Sequence, residues 1–85
     1  MKAKRIVYKN KPIYLPFQVS LPEDPTTEDV VCNRFNGVSC KLPAFAVAVY
    51  DVIMGSELVQ DWKTHRQGLD WFIKYFPKQY MVLLD

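Results

Sequence analysis

The chain has 85 residues, 49% of them apolar and 24% charged, with a formal net charge of +2. That length fits one domain, and the apolar fraction excludes disorder, collagen-like repeats and low-complexity sequence. The longest apolar run, Leu42 to Tyr50, is far short of the roughly 20 residues a membrane span needs, and the basic start turns proline-rich rather than apolar, so no secretory leader is expected.

Charge is distributed unevenly from the outset. Lys2, Lys4, Arg5, Lys9 and Lys11 place five positive charges and no acid in the first eleven residues. A basic tip of this kind can contact phosphates without sequence preference. The plainer alternatives are a solvated, frayed terminus or one folded back on the acids that follow, Glu23, Asp24, Glu28 and Asp29. Pro12, Pro16, Pro22 and Pro25 forbid a continuous helix. Between them Ile13, Leu15, Phe17, Val19 and Leu21 alternate with the other residues, the period of an extended strand. Proline confines such a strand to a sheet edge or a polyproline-like strap. Residues 1–31 therefore read as an extended arm, basic and then acidic, whose Leu15 and Phe17 face must be covered. Asp24 to Asp29 reads as a turn or a single helical turn, since Thr26 and Asp29 match a capping box.

Cys32 and Cys40 flank Asn33-Arg34-Phe35-Asn36-Gly37. Asn-Gly tolerates positive φ and signals a hairpin turn. A three-residue loop sets Cys32 opposite Cys40, whereas a two-residue turn sets it opposite Lys41, so register decides whether the sulfurs meet. Reduced, partly buried thiols are the expectation. With His65 the only histidine, one chain cannot supply a four-ligand zinc site of cysteine and histidine, and only a symmetric dimer sharing four cysteines could.

Leu42 to Met54 reads as a helix with Pro43 in its first turn and Gly55 as its stop. Its only ionisable side chain is Asp51, and a helix apolar all round is buried all round. A second helix is expected from Asp61 to Phe76, with Ser56 or Asp61 as cap. At about 100° per residue, Trp62, His65, Leu69, Phe72, Ile73 and Phe76 share an arc that Thr64, Gly68, Trp71 and Tyr75 widen to roughly 200°. Lys63, Arg66, Gln67, Asp70 and Lys74 form the polar stripe. So wide an arc must touch two partners, which points to the first helix on one side and to the arm, the C-terminal segment or a second chain on the other. Pro77 stops this helix, and Tyr80-Met81-Val82-Leu83-Leu84 is an apolar tail expected to dock.

Chemistry-bearing constellations are sparse. Asp51 and His65 can meet across an antiparallel helix pair as a carboxylate and imidazole, the geometry of a general base. With no nucleophile identifiable beside them, an internal polar contact is the plainer account. Ser20, Ser39 and Ser56 lie in no nucleophile elbow, and Gly37, Gly55 and Gly68 make no phosphate-cradling loop. Trp71 and Tyr75, one turn apart beside Gly68, can stack bases, anchor an interface or fill a core. The basic residues Lys63 and Lys74 lie on the opposite stripe, which weakens base stacking by this helix.

Asn33-Arg34-Phe35-Asn36-Gly37, Ala48 to Gly55, Gly68 to Phe72, Tyr75-Phe76-Pro77 and Tyr80 to Asp85 resemble small uncharacterised proteins from bacteriophage and marine microbial sequences. The resemblance implies a phage-type origin and carries over no catalytic residue.

The sequence thus predicts a mainly α chain, with residues 32–85 forming a small helical domain around a helical hairpin, plus the proline-rich arm and a short β-hairpin. It predicts a non-enzymatic protein without cofactor or metal, in the cytoplasm or that of a phage-infected host. The leading expectation is self-association, a dimer being favoured, or docking on a larger assembly through Leu15, Phe17, Gly68, Trp71 and Tyr75. The alternative is a nucleic-acid-associated accessory protein using Lys2, Lys4, Arg5, Lys9 and Lys11.

Overall fold

Two tight reversals organise the N-terminal half. In the computed structural model, which describes residues 5–17, 19–33 and 35–84, β1 (Arg5–Tyr8) pairs antiparallel with β2 (Lys11–Tyr14). Lys9 and Asn10, at φ 50° and 64°, take the positive values both central residues of a type I′ turn require, and that turn's twist matches paired strands. Ile6 and Ile13 oppose each other and turn inward, both buried, while Arg5 and Tyr14 at the far end stay exposed. The second reversal joins β3 (Glu28–Cys32) to β4 (Ser39–Pro43), also antiparallel, in a separate two-stranded sheet.

The described residues therefore form a mixed α/β fold of two β-hairpins and three helices, not the mainly α helical-hairpin domain expected from sequence. Described residues of the N-terminal segment contribute a hairpin and three core side chains, Ile6, Ile13 and Leu15, where an extended arm was expected. Prolines 16, 22 and 25 lie outside any strand. Pro12 sits inside β2, which is an edge of its two-stranded sheet and so tolerates the missing donor. Asp24 closes a plain turn: its Oδ1 accepts from the Thr26 amide at 3.1 Å and the Thr26 hydroxyl at 2.7 Å. Asp29, expected in a capping box, lies in β3.

β4 runs directly into α1 (Ala44–Leu58). Pro43 offers the helix no side-chain cap. The first-turn amides of Ala44 and Phe45 instead donate to the carbonyls of Thr27 and Pro25, at 2.8 and 2.9 Å, so the preceding loop satisfies donors that a helix start leaves free. The helix passes through Gly55 and ends at a reversal where the Asp61 amide donates to the Ser56 carbonyl at 2.8 Å and Gln60 takes φ 58°. Asp61 then accepts from the Thr64 amide at 3.3 Å and caps α2 (Trp62–Tyr75). As the sequence predicts, α2 ends ahead of Pro77, at Tyr75, with Phe76 outside helical geometry at φ −137° and ψ 60°. Pro77 then opens α3 (Pro77–Leu83) from the first turn, where its missing N–H costs nothing.

The core gathers side chains from every helix and both hairpins: Ile6, Ile13 and Leu15, Leu42, then Phe45, Ala46, Val49, Tyr50 and Ile53 from α1, and Trp71, Phe72, Phe76 and Leu83. The apolar girth of α1 is thus largely covered by its own chain. Gly68 marks where α1 and α2 approach: a Cβ there would lie 2.3 Å from Ile53 Cγ1. Trp71 Nε1 donates to the Tyr14 carbonyl at 2.8 Å and fastens the first hairpin to α2. Asn33, buried, donates from Nδ2 to the Val82 carbonyl at 2.7 Å and accepts at Oδ1 from the Phe35 amide. That one side chain shapes the second hairpin's turn and satisfies a carbonyl near the end of α3.

Candidate functional site

The two hairpins and the α2–α3 corner enclose an open cleft of about 690 Å³. Register decides which side chains face it. Tyr8 and Lys11 oppose each other on the face that also carries Ile6 and Ile13, and both reach the cleft with Lys9 of the turn. On the second hairpin, Lys41 shares a face with Glu28 and Pro43, which are cross-strand partners, and all three line the wall. The α2–α3 corner adds Lys74, Tyr75, Phe76 and Gln79.

Two properties set this cleft apart. Four lysines, Lys9, Lys11, Lys41 and Lys74, face a single acid, Glu28, and a concave wall of one sign concentrates its field. The only ion pair among the described residues, Arg66 with Asp70 at 3.6 Å, lies on the polar stripe of α2. The second property is aromatic. Phe76 is buried beneath the cleft against Tyr8 at 6.3 Å and Trp71 at 5.5 Å, ring centre to ring centre. Tyr75, itself against Trp71 at 5.6 Å, stays half-exposed. Lys9 Nζ lies 5.3 Å from the Tyr8 ring centre and Lys74 Nζ 5.2 Å from that of Tyr75. Each ammonium rests on a tyrosine, an attraction to the ring's negative face.

The sequence-derived candidates fall into three groups. Lys9, Lys11 and Tyr75 meet in the cleft; Arg5 is exposed at the far end of β1, and Lys2 and Lys4 lie outside the described residues. Leu15 and Trp71, expected as interface anchors, are buried in the core, and Gly68 is buried at the helix crossing with Phe17 half-buried beside it. Asp51 and His65 do not pair. Asp51 is exposed, whereas His65 Nδ1 lies 3.2 Å from the Ile53 carbonyl, toward which it serves as donor. The Ser56 hydroxyl donates to that same carbonyl at 2.7 Å, with 3.5 Å between its oxygen and the imidazole. Its proton is thereby directed at a carbonyl rather than at a base.

Cys32 lies opposite Ser39, and Cys40 opposite Val31. This is neither of the two registers weighed from sequence, because the turn spans four residues between Asn33 and Val38, whose amide and carbonyl bond at 2.8 Å. Adjacent strand positions project to opposite faces, and both thiols are free. Burial, with a smaller contribution from Cys32, raises the Cys40 thiol's pKa and suppresses its thiolate. Among the described residues no group of three potential ligands is placed to hold a metal ion, and no helix is long and apolar enough to cross a membrane.

Sequence reasoning missed Tyr8, Lys41 and Phe76 as cleft residues and set Lys74 apart from the aromatic face. The polar-stripe position of Lys74 is real, but a four-carbon stem lets its charge swing over the ring of Tyr75 next door. Comparison with models of protein families, with curated proteins and with solved structures finds no match.

Proposed function

We propose that the protein binds the phosphate backbone of nucleic acid in the lysine-rimmed cleft. The observation that carries this reading is the convergence of Lys9, Lys11, Lys41 and Lys74 from three separate parts of the chain against Glu28 alone. Lysines scattered over a surface need no explanation, but four on the walls of one concavity favour an extended polyanion. The reading replaces a flexible basic arm with a formed site, since Lys9 and Lys11 belong to a turn and a strand. The test is titration of a fluorescent oligonucleotide at low salt. Lys41→Ala and Lys74→Ala, on different elements, should each weaken binding, while Lys63→Ala, exposed on α2 away from the cleft, should not. Absence of binding, or equal loss in all three variants, refutes the reading.

A second reading, self-association into a dimer, draws on Leu58, Val59 and Trp62, which are 83%, 74% and 57% exposed at the α1–α2 corner. Contiguous exposed apolar side chains favour a protein contact. Light scattering tests it: a dimer that Trp62→Ala converts to monomer supports it, and a monomeric wild type refutes it.

A further inference from the structure

We infer that the cleft selects single-stranded nucleic acid, by stacking unpaired bases on Tyr8 and Tyr75 as their covering lysines transfer to phosphates. The inference rests on the phosphate-binding reading above and adds what the strand must look like. Its basis is the pairing of charge with ring at two places in the cleft lining. Lys9 Nζ sits 5.3 Å from the centre of Tyr8, and Lys74 Nζ 5.2 Å from that of Tyr75. Both tyrosines line the cleft and are half-buried, so each ring is fixed along one side and approachable along another. Tyr8 is held edge-on against Phe45 at 5.4 Å, and Tyr75 is backed by Trp71 at 5.6 Å.

An ammonium over an exposed ring is weakly held and keeps much of its hydration. A phosphate within reach is a stronger partner for it, because the contact joins opposite full charges and releases a condensed counterion. Movement of the lysine to phosphate uncovers the ring, and a base supplies a π face of similar size in its place. Both halves of a nucleotide are then engaged by one tyrosine–lysine unit, and the cleft contains two such units.

Alternative polyanions use only half of this site. In a duplex the π faces of the bases are covered by their neighbours, so the tyrosines find no partner and only the lysines act. An acidic peptide likewise engages the ammonium groups and leaves the rings without a flat partner. A single strand satisfies charge and ring together.

The experiment compares three labelled probes of equal length, about 12 nucleotides each: oligothymidylate, the same sugar–phosphate chain without bases, and a duplex. Polyglutamate serves as the fourth probe. Oligothymidylate should bind most tightly. Tyr75→Leu, which keeps apolar bulk but removes the π face, should weaken oligothymidylate binding by about 5- to 150-fold and so narrow its advantage over the abasic chain. Tyr75→Phe should bind oligothymidylate like the wild type. Equal affinity for oligothymidylate and the abasic chain overturns base stacking while phosphate binding stands. Tighter binding of the duplex overturns strand selection, and tighter binding of polyglutamate overturns nucleic acid as the ligand. Failure of all four probes to bind removes the underlying phosphate reading as well.

Discussion

Substituting Gly68 by alanine tests how the helix pair is built. The added Cβ would lie 2.3 Å from Ile53 Cγ1 and 2.8 Å from Cδ1, where carbon atoms prefer about 3.5–4.0 Å. Ile53 is fully buried, and a β-branched side chain in a helix has essentially one χ1 well. The Cγ1 contact cannot be relieved by swinging the end of the chain, so α1 and α2 must move apart. Overpacking of this kind costs about 1–3 kcal/mol. Alanine's better helix propensity returns about 1 kcal/mol, leaving Gly68→Ala between neutral and about 2 kcal/mol less stable. Gly55→Ala is the matched control, because nothing lies within 4 Å of a Cβ built there; it should gain about 1 kcal/mol. Propensity cancels in the comparison, so the two variants should differ by the clash alone, about 1–3 kcal/mol. In a domain of this size that separates their melting temperatures by roughly 4–8 °C per kcal/mol. Urea and thermal unfolding followed by circular dichroism give both quantities. Equal stability of the two variants would refute the close-packed crossing.

Other expectations are as direct. Gln60→Gly should stabilise the fold by about 1 kcal/mol in the same assay, because Gln60 holds φ 58° at the α1–α2 reversal, where a side chain is strained. Trp71→Phe removes the donor to the Tyr14 carbonyl and should cost about 1–3 kcal/mol, with no change in molecular mass by light scattering, since Trp71 is buried within its own chain. The Asp61 carboxylate is held below its ordinary pKa by side-chain and backbone hydrogen bonds from Thr64. A depressed folded-state pKa contributes stability above the unfolded value of about 4 and loses it as pH falls through the folded value. Asp61→Asn should therefore keep the cap near neutral pH and flatten the loss of stability below about pH 4. An unchanged acid limb contradicts that assignment.

What was legible in the sequence divides by the range of the interactions involved. α2 follows from local chemistry, an Asp61 cap and a broad apolar arc, and the structure places it at Trp62–Tyr75. The end of α1 does not. Gly55 resembles a stop, but packing of Ile53 and Ser56 carries the helix past it, and the reversal falls on Gln60, which advertises nothing. Pro77 carries two local meanings, stop and first-turn residue, and the structure uses both: α2 ends at Tyr75 ahead of it, and α3, unannounced in the sequence, starts on it. The first hairpin hid behind its prolines, because its turn is Lys9-Asn10 without the glycine that usually signals one. The same limit governs the cleft. Lys9 and Lys11 stand out as a charge cluster, whereas Lys41 and Lys74 join them only through strand register and the position of the α2–α3 corner. Trp71 and Leu15 read from sequence as candidates for an interface and are buried in the chain's own core, because residue type alone does not say whether the cover comes from the same chain.

The salt dependence of oligonucleotide binding tests the central claim most directly. If four lysines neutralise phosphates of a single strand, log K should fall against log salt with a slope of about −2.8, or roughly 50-fold between 50 and 200 mM. The Lys41→Ala, Lys74→Ala double variant should retain a slope of about −1.4. A slope near zero, or one that the double variant leaves unchanged, contradicts the cleft as the binding site.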